Sequence, residues 1–465
     1  MRAPLFLVAG VLPLAVGCSS EPTRQSDLQT DELDMSAINN PTKVAPSTLT
    51  TVTRQCTPFE SSIRGVSDRI ETRPDLVAMR GRWNNAALST YDKEAMKRAF
   101  VLQCEPSVDA SNPPRNPENV QVVMSILPEA RWTELTTFLG QNEKGPVDLR
   151  SFSYTNFLRV VARMPYFCGE PGTFGTIREA CQREIASLFA HSAQETGAHD
   201  GSKSTPEWKQ GFAFLREGNS YDINNSYDPG TPGSPTKCVA PFLCPKTAHY
   251  YGRGIKQLTH FYNYAGFSAA FFGDPQVLLL QPDRVAQDGY LAIASGVWFH
   301  MSPRPPQPAI HDVLIGNYKP RSAHAGVDVD KFGGVLNRFE ATVSIVNGGF
   351  ECRPPSGSSV AMQSSNRFSY YTSMLKYLDV QLNGVEQSYG KNTVCNIEPG
   401  NPWGGAPIIF NPNWYYDTTD GTCLSLTYEP QPALALVVEG VRNVCKTMFP
   451  TVKKGTLGTS NPLPF

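Results

Sequence analysis

The sequence lacks a surplus of charge of either sign, since 41 Lys and Arg residues face 42 Asp and Glu residues over 465 positions. Proteins that bind nucleic acid or an anionic surface usually carry a basic excess, so this balance argues against both partners and favours an uncharged substrate. The seven histidines show no ligand spacing, and neither HExxH nor CxxC occurs. We therefore expect no metal and no cofactor.

Apolar residues dominate the first eighteen positions, MRAPLFLVAGVLPLAVGC, in a stretch too short to span a bilayer. One Arg precedes them, which is typical of an export signal, so residues 1–18 are predicted to be a signal peptide. The end of this stretch resembles a bacterial lipobox with alanine in place of the usual leucine, which makes Cys18 a lipidation candidate. The alternative is ordinary signal-peptidase cleavage nearby. We expect an exported protein, either a cell-envelope lipoprotein or a secreted one, with membrane contact only through this anchor.

Cysteine is plentiful, with eleven copies, and setting Cys18 aside leaves an even ten. The sequence does not fix how they pair, but pairing neighbours in order closes short local loops, and that is our hypothesis. The five predicted disulfides are Cys56 with Cys104, Cys168 with Cys181, Cys238 with Cys244, Cys352 with Cys395, and Cys423 with Cys445.

Composition divides the rest of the chain into four parts. Residues 19–52 are polar with few large apolar side chains and are predicted to be a flexible tether. Residues 53–120 form a small N-terminal appendage of unknown role, with a predicted helix from Tyr91 to Gln103. Residues 121–395 are the main, mostly helical domain. Residues 396–465 are predicted to be a C-terminal extension packed on or beside that domain, and their aromatics offer polysaccharide binding as an alternative role.

A helix that ends near Glu195 is predicted by apolar residues at three- and four-residue spacing from Ile177 to Ser192, an amphipathic pattern that faces a core. Gly197 offers a stop. This register places Glu195 near the core-facing side of the last turn, where burial would raise the pKa of its carboxyl. Such a carboxyl can keep its proton near neutral pH and act as a general acid. The alternative is a solvated glutamate at a helix end.

A second glutamate, Glu217, follows Glu195 by twenty-two residues and precedes a polar stretch with the composition of a loop. A glycosidase needs one carboxylic acid to protonate the leaving oxygen and one carboxylate to activate water or attack the anomeric carbon. The pair therefore indicates a glycosidase, and the loop could leave room for a water between the two groups. The alternative makes Glu217 a surface charge.

The run YYGRGIKQLTHFYNYAG, which begins at Tyr250, is rich in side chains that grip sugars. Gln257, Thr259, Tyr262 and Asn263 supply amides, hydroxyls and a stacking face, and two glycines allow a close backbone approach. A buried polar network under a loop is the alternative interpretation.

Residues from about 121 to 395 resemble the glycoside hydrolase family 19 chitinases. Several motifs carry the resemblance and follow the family's order along the chain. They are FSYTNF at 152–157, REIA at 183–186 leading into Glu195, YGRG at 251–254 with QLT at 257–259 and YNY at 262–264, VWF at 297–299, HDV at 311–313, IVNGG at 345–349 with Glu351 and Cys352, and Arg367 with Tyr371.

This resemblance implies a mainly α, lysozyme-like, two-lobed helical domain with long loops and disulfides. It also implies endo-acting, inverting hydrolysis of β-1,4-linked N-acetylglucosamine polymers, so that chitin or chitooligosaccharides are the expected partners. The sequence leaves the oligomeric state open, and a monomer is the default expectation. By motif position Glu195 is the general acid, Glu217 is the general base, and Thr259 stands where the family usually has a serine that holds the water. The residues implied to line the cleft are Gln257, Tyr262, Asn263, Asn347 and Arg367. An inverting pair of carboxyl groups is expected roughly 6.5 to 9.5 Å apart.

Two departures from the family pattern lie beside the acid, since Gln194 stands where histidine is common and Gly197 with Ala198 replaces a Thr-Gly run. Neither removes an acid or a base, so we expect activity with a changed pH optimum. Two other functions stay open. One is peptidoglycan cleavage, which uses the same two-carboxylate chemistry, and the other is polysaccharide binding by a catalytically weak surface lipoprotein.

Overall fold

The computed structural model describes residues 54–72, 94–95, 97–143, 145–217, 244–245, 247–274, 276–303, 308–318, 338–351, 359–382, 386, 416–417 and 422–423. The chain divides into two units, residues 1–49 and 50–465, and the described residues all belong to the second. The predicted signal peptide, Cys18 and the tether to residue 52 therefore lie outside the described residues.

Helices supply nearly all of the regular structure in the described residues, so the predicted mainly α class is confirmed. The only described strands are β1 (Tyr416–Asp417) and β2 (Thr422–Cys423), an antiparallel pair with Tyr416 opposite Cys423. The α-helices are α1 (Ile63–Thr72), α2 (Glu118–Ile126), α3 (Glu129–Leu135), α4 (Tyr154–Arg163), α5 (Ile177–Thr196), α6 (Phe261–Phe272), α7 (Gln276–Leu280), α8 (Arg284–Gln287), α9 (Gly289–Met301), α10 (Ile310–Leu314), α11 (Arg338–Glu351) and α12 (Ser359–Tyr377), with 3-10 turns at Pro113–Arg115 and Glu207–Lys209.

The central element is α5, which packs against α2, α9, α10 and α12. It begins where the Thr176 hydroxyl accepts a hydrogen bond from the Glu179 N–H at 3.2 Å, and it ends before Gly197 as predicted. Every residue from Ala180 to Ala193 is buried, including charged ones. The prediction that α5 buries only one face is therefore wrong, because other helices cover it on several sides.

An aromatic cluster joins α3, α4 and α5 into one core. The ring of Trp132 stacks on Phe157 at 4.8 Å and on Phe152 at 5.6 Å, and it meets Phe189 of α5 edge-on at 6.0 Å. Phe212 packs on Phe152 and Phe189 from the segment that leads to Glu217. The helix with the predicted acid and the segment with the predicted base therefore rest on the same core.

The predicted helix from Tyr91 to Gln103 is wrong at its end, since helical structure among the described residues stops at Arg98 and residues 100–102 are not helical. The Leu102 N–H instead donates to the Arg163 carbonyl at 2.8 Å, which ties this segment to the end of α4. A tertiary hydrogen bond has replaced the helical one.

Two of the five predicted disulfides are confirmed, Cys56–Cys104 and Cys168–Cys181. Cys244 is also disulfide-bonded, and its predicted partner Cys238 lies outside the described residues. The other two predicted pairs each include a cysteine outside the described residues. Within the described part of the chain, no helix is both long and apolar enough to cross a membrane.

Candidate active site

Glu195 lies in the last turn of α5 and contacts Arg367 of α12. The Arg367 Nη2 donates to Glu195 Oε1 at 2.5 Å, and the Glu195 side chain is 20% exposed. The structure therefore brings together two residues that the sequence assigned to one cleft. The sequence prediction for Glu195 rested on burial alone and did not include the Arg367 guanidinium that binds its carboxyl.

Arg367 also holds a second carboxylate, Glu351 at the end of α11. Its Nη2 donates to Glu351 Oε1 at 2.6 Å and its Nε donates to Oε2 at 2.8 Å, with both side chains buried. Asn347, which has the non-helical angles φ −149 and ψ 34 inside α11, donates to Glu351 Oε1 at 2.9 Å. One positive charge is thus shared between two carboxylates, and the buried one is bound through both oxygens.

His191, which lies one turn before Glu195 on α5, also contacts Arg367. Its Nδ1 lies 3.2 Å from Arg367 Nη1, and its Nε2 lies 2.8 Å from the Thr342 hydroxyl. Burial lowers the pKa of His191 well below its usual range, so the ring is neutral. Because arginine can only donate, Nδ1 must accept and Nε2 carries the proton. His191 therefore contributes no charge to the site.

Glu217 is held by a loop that contains Gly252. The Glu217 N–H donates to the Gly252 carbonyl at 2.8 Å, and the Gly252 N–H donates to Glu217 Oε2 at 2.8 Å. A neighbouring bond from the Gly254 N–H to the Leu215 carbonyl, also 2.8 Å, continues the pairing. The orientation of the carboxylate therefore depends on backbone groups.

Burial raises the pKa of Glu217, and the nearby charge of Glu195 raises it further. The hydrogen bond from Gly252 and the charge of Arg253 act in the opposite direction and are outweighed. Glu195 thus lies near enough to Glu217 for its charge to affect the Glu217 pKa. Their predicted separation stays a prediction.

Thr196 links the two segments that carry the glutamates. Its hydroxyl donates to the Ser192 carbonyl at 2.5 Å and accepts from the Phe212 N–H at 2.9 Å. The Thr196 carbonyl also accepts from the Phe214 N–H at 3.1 Å. Since Thr196 directly follows Glu195, these bonds fix the end of α5 to the strand-like segment before Glu217.

The predicted sugar-binding run lies beside Glu217. A Cβ built on Gly252 would meet Gln257 Oε1 and Glu217 Oε2 at 2.7 and 3.2 Å, so these side chains flank the same glycine. The Thr259 hydroxyl donates to the Gln257 carbonyl at 2.8 Å, and Asn263 donates to the Thr259 carbonyl at 2.8 Å. Tyr262 lies in α6, but its side chain lies outside the described part of the structure.

The predicted residues therefore fall into two groups. Glu195, Arg367 and Asn347 form an acid-side group, whereas the base-side group consists of Glu217, Gln257, Thr259 and Asn263. Sequence reasoning missed Glu351, His191 and Gly252 as site residues. For Glu351 a usable signal was present, because it follows the IVNGG motif that carries part of the family resemblance.

Across the residues that the structure describes, no group of three or more His, Cys, Asp or Glu side chains could hold a metal ion. In the acid-side group, Arg367 contacts two carboxyl groups, those of Glu195 and Glu351. Together with Glu217 of the base-side group, Glu195 provides the two carboxyl groups that general acid and general base catalysis require.

The family model described as chitinase class I, glycoside hydrolase family 19, matches residues 136–387, more than half of the chain. The chain belongs to this family. The resemblance found in the sequence is thereby confirmed, and the matched residues include both glutamates and the whole base-side group.

Two plant endochitinases are similar to this chain. An endochitinase of Solanum tuberosum is 32% identical over 240 residues, which cover 52% of this chain and 64% of the potato protein. A basic endochitinase of Vitis vinifera is 30% identical over 258 residues, 56% of this chain and 70% of the grapevine protein. The chain thus spans slightly less than two thirds of the potato relative's length.

Solved structures of the family show lower similarity. A bacterial family 19 chitinase has 20% sequence identity and a TM-score of 0.36, with 56% of this chain and 98% of that chain covered. A class IV chitinase of Zea mays has 22% identity and a TM-score of 0.35, with 57% and 98% covered.

Proposed function

We propose that the protein hydrolyses β-1,4-linked N-acetylglucosamine polymers, that is chitin, at internal bonds and with inversion of the anomeric carbon. The observation that carries this proposal is the pair of carboxyl groups, Glu195 and Glu217, on two segments that Thr196 joins by hydrogen bonds. Membership of the class I chitinase family supports chitin as the substrate.

Glu195 is the proposed general acid. Arg367 binds both the Glu195 and the Glu351 carboxylates directly. Glu351 is buried and bonded through both oxygens, whereas Glu195 is more exposed and bonded through one. Glu195 is therefore the group that we assign to carry the proton and deliver it to the glycosidic oxygen.

Glu217 is the proposed general base, and Thr259 helps to orient the water. The Thr259 hydroxyl donates its hydrogen to the Gln257 carbonyl, so towards a water it can only accept. A water that donates one hydrogen to Thr259 and the other to the Glu217 carboxylate would present its lone pair to the anomeric carbon. Because Gly252 already binds one Glu217 oxygen, we assign the other oxygen to the water.

The deciding experiment incubates the purified protein with chitin hexasaccharide and, separately, with peptidoglycan, and follows product anomers by NMR. Inversion at a β-linkage releases α-anomers first, so early α-anomer signals from the hexasaccharide are the expected result. Glu195→Gln should abolish them. Glu129→Gln, the same change at an exposed glutamate of α3, is the matched control and should leave them unchanged.

Other results would redirect the assignment. Early β-anomer products would overturn inversion but keep the hydrolase. Cleavage of peptidoglycan alone would transfer the substrate to the related cell-wall polymer. No cleavage of either, with retention of the protein on chitin beads, would favour a binding role.

We also propose that the protein is exported and lipidated at Cys18, on the evidence of residues 1–18. Expression in a bacterium with these residues in place should give a product that partitions into detergent. Cys18→Ala should give a product that stays in the aqueous phase. Equal partitioning of the two would overturn lipidation.

A further inference from the structure

Residues 97–105, here called the Arg98 segment, are fixed to the main domain by several bonds. Besides the bond from the Leu102 N–H to α4, Arg163 Nε donates to the Leu102 carbonyl at 2.9 Å. Gln103 donates to the Ala270 carbonyl at 2.7 Å, and the Cys56–Cys104 disulfide closes the segment at its end. A backbone held at this many points gives its side chains a defined direction.

Arg98 projects from this segment onto two carboxylates of the main domain. Its Nε donates to Glu170 Oε2 at 2.8 Å and its Nη1 donates to Asp312 Oδ1 at 3.1 Å. Asp312 is fully buried, and the Arg98 side chain is only 16% exposed. Arg98 therefore bridges two separate elements, the loop with Glu170 and helix α10 with Asp312.

The neighbour of Asp312, His311, extends the contacts to α5. His311 Nε2 lies 3.4 Å from Glu170 Oε2, and its Nδ1 lies 2.6 Å from Glu184 Oε1. Glu184 is a fully buried residue of α5, and its other oxygen accepts from the Cys168 N–H at 2.9 Å. Ion pairs and hydrogen bonds thus run without interruption from Arg98 to α5.

Arg98 supplies one of the two positive charges that the described contacts place in this network. Three negative charges come from Glu170, Glu184 and Asp312, and two positive charges come from Arg98 and His311. His311 is charged because its carboxylate neighbours raise its pKa to about 10 despite the opposing effect of burial. Without Arg98, one imidazolium would face three carboxylates in a mostly buried site. Buried uncompensated charge is strongly unfavourable, so the surrounding elements would shift or admit water.

Glu184 and Glu195 belong to the same uninterrupted helix, three turns apart. We propose that Arg98 is a positioning residue of the active site, which fixes the helix that carries Glu195 through Glu170, Asp312, His311 and Glu184. The Arg98 segment is then a working part of the catalytic domain, although it lies before residues 136–387, which the family model matches. The catalytic half of this proposal rests on the proposed function, since it needs Glu195 to act on substrate.

The test compares the full chain with three variants. Arg98→Met keeps the apolar stem but removes the charge, Arg98→Lys keeps one charge but cannot bridge two carboxylates with a planar group, and Arg64→Met is the matched control. Arg64 is an exposed arginine of α1, in the same N-terminal part of the chain. The readouts are kcat and KM on chitin hexasaccharide and amide hydrogen exchange of residues 184–196.

We expect Arg98→Met to lower kcat about tenfold to a hundredfold with little change in KM, the size of loss that a displacement of about 1 Å produces. Amides of residues 184–196 should exchange faster. Arg98→Lys should fall between Arg98→Met and wild type in both readouts, a graded response to charge that loss of packing would not give. Arg64→Met should match wild type.

Wild-type kcat and amide exchange in Arg98→Met would overturn the proposal. If Arg98→Met does not fold, Arg98→Lys decides, because wild-type values there would contradict a bridge between two carboxylates. If the wild-type protein does not cleave the hexasaccharide, the proposed function fails. The amide exchange of residues 184–196 then still decides whether Arg98 fixes α5.

Discussion

Gly252 binds Glu217 at both ends of the residue, since its carbonyl accepts from the Glu217 N–H and its own N–H donates to the Glu217 carboxylate, each at 2.8 Å. Because backbone groups hold the Glu217 carboxylate, it cannot reorient easily when Gly252 moves. The position of the proposed base therefore depends on Gly252, a residue that has no side chain to take part in the reaction.

Gly252→Ala is expected to lower kcat by about tenfold to a hundredfold while the fold is retained. The added Cβ would lie 2.7 Å from Gln257 Oε1 and 3.2 Å from Glu217 Oε2, so both side chains must shift. A displacement of a few tenths of an ångström to 1 Å at a catalytic group has effects of this size. Hexasaccharide kinetics and the thermal midpoint of the variant measure the two quantities.

Gly201→Ala serves as the control for that variant. A Cβ there would meet only Glu207 Oε1, at an ordinary distance of 3.7 Å. Wild-type activity is expected. Equal activity of Gly252→Ala and Gly201→Ala would show that Gly252 does not position the base.

Local pattern carried much of the prediction. The spacing of apolar residues fixed α5 and its end at Gly197, because helix periodicity and a glycine stop depend on nearby residues only. The same pattern could not report that α5 is buried on several sides, since burial depends on α2, α9, α10 and α12, which lie far away in the chain.

The site was predicted unevenly for the same reason. Glu195 and Glu217 stood out as a pair of carboxyl groups, but Arg367 as the direct partner of Glu195 follows only from the packing of α5 against α12. Glu351 went unassigned because a buried glutamate and a surface glutamate look alike in sequence. The role of Arg98 could not be predicted from nearby residues, since its contacts with Glu170 and Asp312 span 72 and 214 positions.

The pH dependence of kcat/KM should reflect the surroundings of Glu217. A general base must be ionised, so the rate is expected to fall as the pH drops through the Glu217 pKa. Burial raises that pKa, so the acid limb should lie above the ordinary glutamate value of about 4.3. Rates on the hexasaccharide across pH test this, and an acid limb at or below the ordinary value would contradict the assignment of Glu217 as base.

Glu217→Gln should make the folded protein more stable at neutral pH. A pKa raised on folding means that the ionised carboxyl costs stability above the folded pKa, and that this cost disappears as the pH falls and the carboxyl is protonated. The gain is expected at pH 7 and should shrink as the pH falls through the raised Glu217 pKa. Urea unfolding above and below that pKa measures it, with Glu129→Gln as the exposed control. A gain that is the same at both would point to packing instead of charge.

Arg367→Lys should damage stability and activity together. Lysine keeps the charge but lacks the planar group that binds both Glu351 oxygens and Glu195 at once. Breaking a buried ion pair typically costs about 3–5 kcal/mol, so a large fall in the thermal midpoint is expected along with loss of kcat.

Arg131→Lys is the matched control for Arg367→Lys. Arg131 pairs with Asp379 at 2.7 Å, but the Asp379 side chain is 68% exposed. Surface pairs of this kind contribute little, so wild-type stability is expected. Similar losses in the two arginine variants would mean that general sensitivity to the substitution, and not the shared guanidinium, explains the result.

Thr259→Val should lower kcat by about tenfold to a hundredfold, whereas Thr259→Ser should stay near wild type. Valine matches threonine in shape but offers no oxygen to accept from the attacking water, and serine retains that oxygen. Because the Thr259 hydroxyl already donates to the Gln257 carbonyl at 2.8 Å, valine also removes a bond that holds the loop, so KM and the thermal midpoint must be measured beside kcat. A fall in kcat with an unchanged thermal midpoint would assign the loss to the water. A fall in Thr259→Ser with wild-type kcat in Thr259→Val would instead mean that the methyl group, through packing, is what the site requires.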